Sequence, residues 1–423
     1  MNRTQLKQSN KIFYGWWIVA VCFFVLFFTL GVAVTAFSAT SAFLVEEWGI
    51  AQTQITSMVT VRTFSSVIAM YLCGFYYAKI NLRLGFSLGT LMGTVGYALF
   101  AIANGNVAIG YIAMIVIGAC RGFGGMYAIS LLMEKWFFKR KAVAIAIITT
   151  SSGFTTMIMP KILVYFVNNY SLNASFWFTA AMFAVAAALI LLVIKSTPEE
   201  MGLIRYGEGQ EADAAKRVVT EKYEAEFKHC VYLMVAVFCI GGICYVQGQI
   251  RTLNLTTAGW TAAEAAQSLS KYGLLIILGK LVYGPISDRY SQRQISWLWY
   301  LLIAVSHAIY ALAPTSFFSP VMAWISHLLY ALGGPICTVG LALYGIEIAY
   351  KGDTVKWIRN YLVIYNVGSL LLTPLAGISA DLTGNYSLCF WVLAVMSIVA
   401  LVFAQMAYSG AYKNYNKLHG NQK

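Results

Sequence analysis

Charge is scarce in this 423-residue chain. Only 11% of residues are Asp, Glu, Lys or Arg, against roughly 25% in a soluble domain, which excludes an ordinary soluble globular protein. Acid is the scarcer sign, with 16 Asp and Glu against 29 Lys and Arg. Eight of the 16 fall in one polar segment, Lys195 to Lys228. There are four His, and none of the eight Cys (Cys22, Cys73, Cys120, Cys230, Cys239, Cys244, Cys337, Cys389) forms a C-x-x-C pair. A zinc site or disulfide framework therefore has no support, and these Cys read as small buried hydrophobes. No metal or cofactor is expected. No nucleophile–base constellation appears either, so an enzyme is the least favoured class. The N-terminal apolar run has no small-residue cleavage site and is read as a retained first span.

What is present is apolar and aromatic. Sixty per cent of residues are hydrophobic and 15% aromatic, including 11 Trp and 27 Tyr, as expected where rings line membrane interfaces. A spanning helix needs about 20 mostly apolar residues. Twelve such runs are found: 14–44, 53–78, 84–104, 108–134, 140–167, 173–195, 229–255, 262–287, 293–313, 317–346, 358–381 and 386–409. The expected fold is an all-α polytopic membrane protein, its twelve transmembrane helices arranged as two pseudo-symmetric six-helix bundles. The expected boundaries are 1–195, a cytoplasmic linker at 196–228, and 229–423.

The net charge of +13 does not point to nucleic acid once it is placed. With the N-terminus inside, 23 of the 29 basic residues fall in cytoplasmic tails and loops, including the turns "EKWFFKRK" and "YKGDTVKWIR". This is the positive-inside pattern. Arg251 alone falls near an outer loop, as do sequons at Asn173, Asn254 and Asn385. The halves look related. Gly124 and Gly125 in span 4 match Gly333 and Gly334 in span 10, and the loop after span 2 corresponds to the loop after span 8. Two six-helix repeats around a central cavity is a transporter architecture.

Five cations remain inside spans: Arg62 in span 2, Arg121 in span 4, Lys161 in span 5, and Lys271 and Lys280 in span 8. No acid lies well inside any span. An ionised group at the bilayer centre costs at least about 2.5–3.5 kcal/mol, so unpaired cations make most sense in a wet cavity shared with an anion. At about 1.5 Å per residue, Arg62 lies ~18 Å from the helix exit at Gly74, near mid-membrane. Arg121 reads either as part of that site or as a structural strut. Lys161 reads either as a core cation or as one that snorkels to outer water. Lys271 and Lys280 are nine residues apart and sit on opposite faces of one helix, so both cannot point straight into one narrow cavity.

The motif G-x-[LI]-[SA]-D-R-x-S/G-x-R is matched by Gly284, Ile286, Ser287, Asp288, Arg289, Ser291 and Arg293. With Arg121 and Gly125 as R-x-x-x-G, the chain resembles the major facilitator superfamily. "YGWW" (Tyr14 to Trp17), "KWFFKRKAVAIAI" and "TPEEMGL" resemble its monocarboxylate porter and oxalate/formate antiporter branch. In that branch an arginine eight residues before the loop Asp binds the substrate carboxylate, and the same spacing here gives Lys280. Arg62 matches an arginine in span 2 of some bacterial members, and Tyr127 a span-4 tyrosine near their substrate. Ile276 stands where proton-coupled animal members have Asp, and Gly368 where the oxalate antiporter has a lysine.

The resemblance implies a secondary transporter for a small organic anion, a mono- or dicarboxylate, working by alternating access as exchanger, uniporter or proton-linked porter. An inorganic-anion (nitrate-like) transporter and a non-transporting receptor on the same fold stay open. The expected substrate site comprises Arg62, Lys280, Arg121, Tyr127, Lys271, Tyr272, Tyr283, Tyr365 and Asn366. The Tyr and Asn positions read equally as ordinary helix packing. The expected gate is Asp288 with Arg289, helped by close helix approach at Gly284, Gly124, Gly125, Gly333 and Gly334. A monomer in a bacterial inner membrane, with both termini cytoplasmic and no nucleic-acid partner, completes the expectation.

Overall fold

In the computed structural model the chain is almost wholly helical. The structure describes residues 13–36, 40, 43–44, 47–50, 52–208, 222–260 and 262–419. The linker's middle and both extreme termini lie outside the described residues. Twelve helical spans follow in order: α1 (Gly15–Leu26, continued by Phe27–Ala36), α2 (Gln52–Lys79), α3 (Leu82–Ala103), α4 (Val107–Phe123 and Met126–Trp136), α5 (Lys141–Asn169), α6 (Leu172–Val193), α7 (Phe227–Thr257), α8 (Ala262–Arg289), α9 (Gln292–Ala311), α10 (Pro320–Gly333, Gly334–Cys337 and Val339–Glu347), α11 (Thr354–Leu372 and Leu375–Thr383) and α12 (Ser387–His419).

Among the described residues, eleven helices are long and apolar enough to cross a membrane. α8 is 28 residues long and carries Lys271 and Lys280. The same lysines make α8 interesting for function. Turns are short and capped: Asn81, Asn106, Ser171 and Ser319 accept from first-turn backbone N–H groups of α3, α4, α6 and α10. Ser291 and Gln294 form a capping box on α9. These bonds satisfy donors that would otherwise be orphaned at helix starts.

Four spans depart from a plain α-helix. Residues Phe27–Ala36 of α1 wind as a π-helix, a form that concentrates at functional sites. α4 breaks at Gly124–Gly125. A Cβ on Gly124 would lie 2.6 Å from the backbone N of Thr90, so only glycine lets α3 and α4 touch there. α10 breaks at its own Gly pair, and a Cβ on Gly333 would lie 2.6 Å from the Trp299 carbonyl of α9. α11 is interrupted just before Leu375.

The two bundles, α1–α6 and α7–α12, meet along α5 with α8 and along α2 with α11. Helices α2, α4, α8 and α10 end on the face where α1 begins and α12 ends, here called the terminal face. Close packing continues to that face: a Cβ on Gly284 of α8 would sit 2.7 Å from Cβ of Ala146 on α5. The side chain of Arg359, near the start of α11, lies against Gly74 of α2.

Candidate functional site

Two of the expected cations, Arg62 and Lys280, are buried between the bundles, and Arg121 is half-buried beside them. Arg62 on α2 is 2% exposed. Its guanidinium donates to the Ala33 carbonyl in the π-helical part of α1 and, at 3.4 Å, to the Tyr245 hydroxyl of α7. Tyr245 is also 3.3 Å from Thr63 Oγ1. One arginine thus joins α1, α2 and α7, across both bundles. Its Nε has no partner among the described residues.

Arg121, on the first segment of α4, has a buried Nη1 without a partner among the described residues. It lies within electrostatic reach of Arg62, Tyr245 and Tyr365. Lys280 on α8 is also 2% exposed. Its ammonium donates to the Thr149 carbonyl at 2.7 Å and to Ser152 Oγ at 2.8 Å, both on α5. Cys244 relates the clusters, for it lies within reach of both Lys280 and Tyr365. None of the three cations forms a salt bridge among the described residues. Every bond described for them is to a neutral oxygen, so their charge is left for something else.

The remaining expected residues divide. Asn366 is buried where α11 crosses α2, donating to the Leu362 carbonyl at 2.8 Å and facing Met70 Sδ at 3.3 Å. Tyr127 is buried against Tyr77, near Cys73 and Arg359, closer to the terminal face than Arg62. Tyr283 donates to Gln292 Oε1 at 2.9 Å and packs on Trp299, which makes it a strut within the second bundle. Tyr272 faces the second bundle's own core. Lys271 is exposed, its ammonium 5.0 Å from the Trp324 ring. The opposite-face geometry of the two α8 lysines is therefore resolved by their neighbours: Lys280 meets the other bundle and Lys271 points away. Lys161 is exposed.

At the terminal face the Asp288 carboxylate accepts from the backbone N–H groups of Ala142 and Val143, both at 3.0 Å. These are first-turn donors of α5, where the helix dipole favours an anion. Arg289 is exposed and lies over Tyr290 at 5.9 Å, so the latch contacts described here belong to Asp288. Gly284, one turn earlier, allows the close approach that this bond needs.

Two residues escaped the sequence reading. Tyr245 had no signal, because an uncharged tyrosine within an apolar run reads as packing. Arg251, placed near an outer loop by sequence, is instead 1% exposed. α7 runs on to Thr257, leaving Arg251 about 9 Å inside its end. It donates to His327 Nδ1 at 2.9 Å and is caged by Tyr272, Tyr310 and Tyr330 at 4.2, 4.8 and 4.9 Å.

A multi-pass helical protein whose two bundles close over buried, unneutralised cations belongs to the class of membrane transporters. Comparison with known proteins places it further. Residues 19–355 match the model of the Major Facilitator Superfamily, and the chain belongs to that family. It is 22% identical over 441 residues to human monocarboxylate transporter 12, covering 96% of this chain and 83% of that one. It is 23% identical over 388 residues to rat monocarboxylate transporter 13, covering 89% and 85%. Among solved structures it is similar to the proton:xylose symporter XylE (TM-score 0.71, 14% identity, 92% and 95% covered). It is also similar to the human organic anion transporter MFSD10 (TM-score 0.68, 12% identity, 93% and 98% covered). A further likeness is to FucP in the outward conformation (TM-score 0.68, 16% identity, 92% and 99% covered). At these identities the structural likeness shows the fold alone.

Proposed function

We propose that this protein carries a small organic anion, a mono- or dicarboxylate, by alternating access. The observation that carries the reading is the pair Arg62 and Lys280, buried between the bundles and bonded to neutral partners, with Arg121 half-buried beside them. Such a site repels cations and gains little from a neutral sugar. A carboxylate arriving there would replace weak neutral acceptors by charge-assisted bonds, which are roughly twice as strong. The monocarboxylate transporters among the relatives support this choice of anion.

Arg62 and Lys280 bind the carboxylate, and Arg121 adds positive potential. Tyr245 and Tyr365 set the size of the space, and Asn366 belongs to its wall. The terminal face is the cytoplasmic one, on the strength of its basic loops, and so holds both chain termini. The latch of Asp288 on α5, with Gly284 packed behind it, keeps this face shut while the opposite side admits substrate. With no acid among the described buried groups that face Arg62 or Lys280, exchange or uniport is favoured over proton symport. In this mechanism a substrate anion displaces the Ala33 carbonyl and Tyr245 from Arg62, and Thr149 and Ser152 from Lys280. The bundles then rock about α2–α11 and α5–α8.

The test is a thermal-shift screen of mono- and dicarboxylates on the purified protein, with nitrate as comparator, repeated on Arg62→Ala. Stabilisation by a carboxylate that vanishes in the variant is expected. Stabilisation by nitrate alone, or stabilisation indifferent to Arg62, overturns the reading. In proteoliposomes, accumulation that is equal with and without a pH gradient supports exchange, and a strict need for the gradient removes it.

A further inference from the structure

The second bundle contains a cation that transport through the central site does not use. Arg251 is buried among α7, α8, α9 and α10 and forms no salt bridge among the described residues. Its Nε and Nη2 have no hydrogen-bond partner there. Its one strong bond is to His327 Nδ1 at 2.9 Å. His327 is itself buried, and its Nε2 lies 2.6 Å from Ser268 Oγ. The Tyr310 hydroxyl is farther from the ring, 3.3 Å from Nδ1 and 3.2 Å from Nε2.

The proton positions in this chain follow from chemistry. A guanidinium can only donate, so Nδ1 of His327 must accept and the imidazole is neutral with its proton on Nε2. That proton goes to the short contact, Ser268 Oγ. Having accepted from His327, the Ser268 hydroxyl is left with its own proton to donate. The positive charge of Arg251 is thus relayed to Ser268 as a polarised O–H, and hydrogen bonds in such a chain strengthen one another.

Ser268 lines a cavity of about 390 Å³ near the start of α8, on the side away from the terminal face. Among the described residues, Gly259, Trp260, Glu264, Lys271, Pro320 and Trp324 also line it. Glu264, Ser268 and Lys271 are spaced i, i+4 and i+7, one face of α8. The Lys271 ammonium sits over the Trp324 indole, beside the Ser268 hydroxyl along the helix. Glu264 lies a turn nearer the helix start, so an anion is confined to the Ser268–Lys271 end.

We propose that this cavity is a second anion site, separate from the central one, which takes a single oxyanion carried on an apolar or aromatic body. The oxyanion accepts from Ser268 and Lys271, and the body lies between the Trp260 and Trp324 indoles. The volume suits a ligand of small-molecule size. The oxyanion belongs either to a soluble carboxylate or to a lipid headgroup, and the experiment separates these sources.

Benzoate binding is measured by calorimetry on the full chain in neutral phosphatidylcholine nanodiscs. Four proteins are compared: wild type, Arg62→Ala to disable the central site, and Arg62→Ala combined with Ser268→Ala or with Lys271→Gln. Both of the last two substitutions are small or exposed, and size-exclusion profiles check their folding. The Arg62→Ala protein is expected to keep one benzoate site. In that background Ser268→Ala and Lys271→Gln each weaken it by about tenfold or more, the usual effect of losing a hydrogen bond to a charged group. Competition by added phosphatidylglycerol assigns the site to lipid headgroups, and its absence assigns it to soluble carboxylates; either result retains the site. No saturable benzoate binding in Arg62→Ala, or binding there that ignores both Ser268 and Lys271, overturns the proposal. Because Arg62 is already absent in that background, these outcomes do not touch the central carboxylate reading.

Discussion

Replacing Lys280 by methionine is the sharpest test of why a lysine sits inside α8. The substitution keeps an unbranched apolar stem and removes the ammonium. In the unliganded protein, the wild-type ammonium is desolvated and bonded only to Thr149 O and Ser152 Oγ. Its burial costs at least about 2.5 kcal/mol on insertion scales, and two bonds to neutral groups return about 1.5–3 kcal/mol each at most. The two contributions roughly cancel, so unliganded Lys280→Met should melt within a few degrees of wild type. The liganded protein should behave differently. Losing a charge-assisted bond to a carboxylate costs about 1.5–3 kcal/mol, which is about 10- to 150-fold in Kd. At a ligand concentration of 100 Kd, binding stabilises wild type by about 2.7 kcal/mol. A 100-fold weaker variant at the same concentration gains only about 0.4 kcal/mol. The assay is a pair of thermal melts, with and without the carboxylate found in the screen. Two results refute the reasoning: ligand stabilisation that survives within twofold in Kd, or a large fall in the unliganded melting temperature. The second would make Lys280 a structural strut between α8 and α5. Lys280→Arg is a useful companion, since a planar fork pairs bidentately with carboxylate where an ammonium is a point charge.

Three more perturbations probe the machine around that lysine. Asp288→Ala removes the acceptor of two α5 N–H groups; leaving buried donors unpaired costs about 1–3 kcal/mol. The terminal face should open more often, read as faster labelling of a cysteine placed at Ala146, and unchanged labelling would count against the latch. Gly284→Leu puts a side chain where even a Cβ would lie 2.7 Å from Ala146 Cβ, so it should hold α8 off α5 and abolish transport while the purified protein stays folded. Transport at the wild-type rate would show that this approach is dispensable. Tyr245→Phe removes the hydroxyl that Arg62 and Thr63 share. Because the bonds are long, a modest change of about two- to tenfold in apparent affinity is expected, with little effect on melting temperature, and a complete loss of folding would mean that Tyr245 serves packing instead.

The residues most legible in sequence were those whose character clashes with their surroundings. Arg62 and Lys280 are conspicuous because lipid-length apolar runs do not tolerate charge without cause. The helical period by itself puts Lys271 and Lys280 on opposite faces. What the period leaves open is which face meets which neighbour, and that depends on the contact between α8 and α5. Arg251 shows the limit in another way. A basic residue near a helix end resembles a topology signal, and only the bond to His327 and the rings of Tyr272, Tyr310 and Tyr330 reveal a buried cage. Tyr245 could not be distinguished from packing tyrosines, since its role arises wholly from reaching Arg62 on another bundle.

Sequence alone determined that this chain lies in a membrane, how many times it crosses, and that unpaired positive charge remains in its middle. Those properties are local or summed: apolar run length, the scarcity of acid, and the spacing of motifs along one strand of chain. Tertiary structure decided the company each charge keeps. It brought Arg62 to Ala33 and Tyr245, Lys280 to Thr149 and Ser152, and Asp288 to the first turn of α5. It also turned Arg251 inward to His327. The physical reason is that a hydrogen bond and a desolvation cost depend on distances of a few ångströms between residues as many as 296 positions apart in the chain, and no one-dimensional pattern fixes those distances.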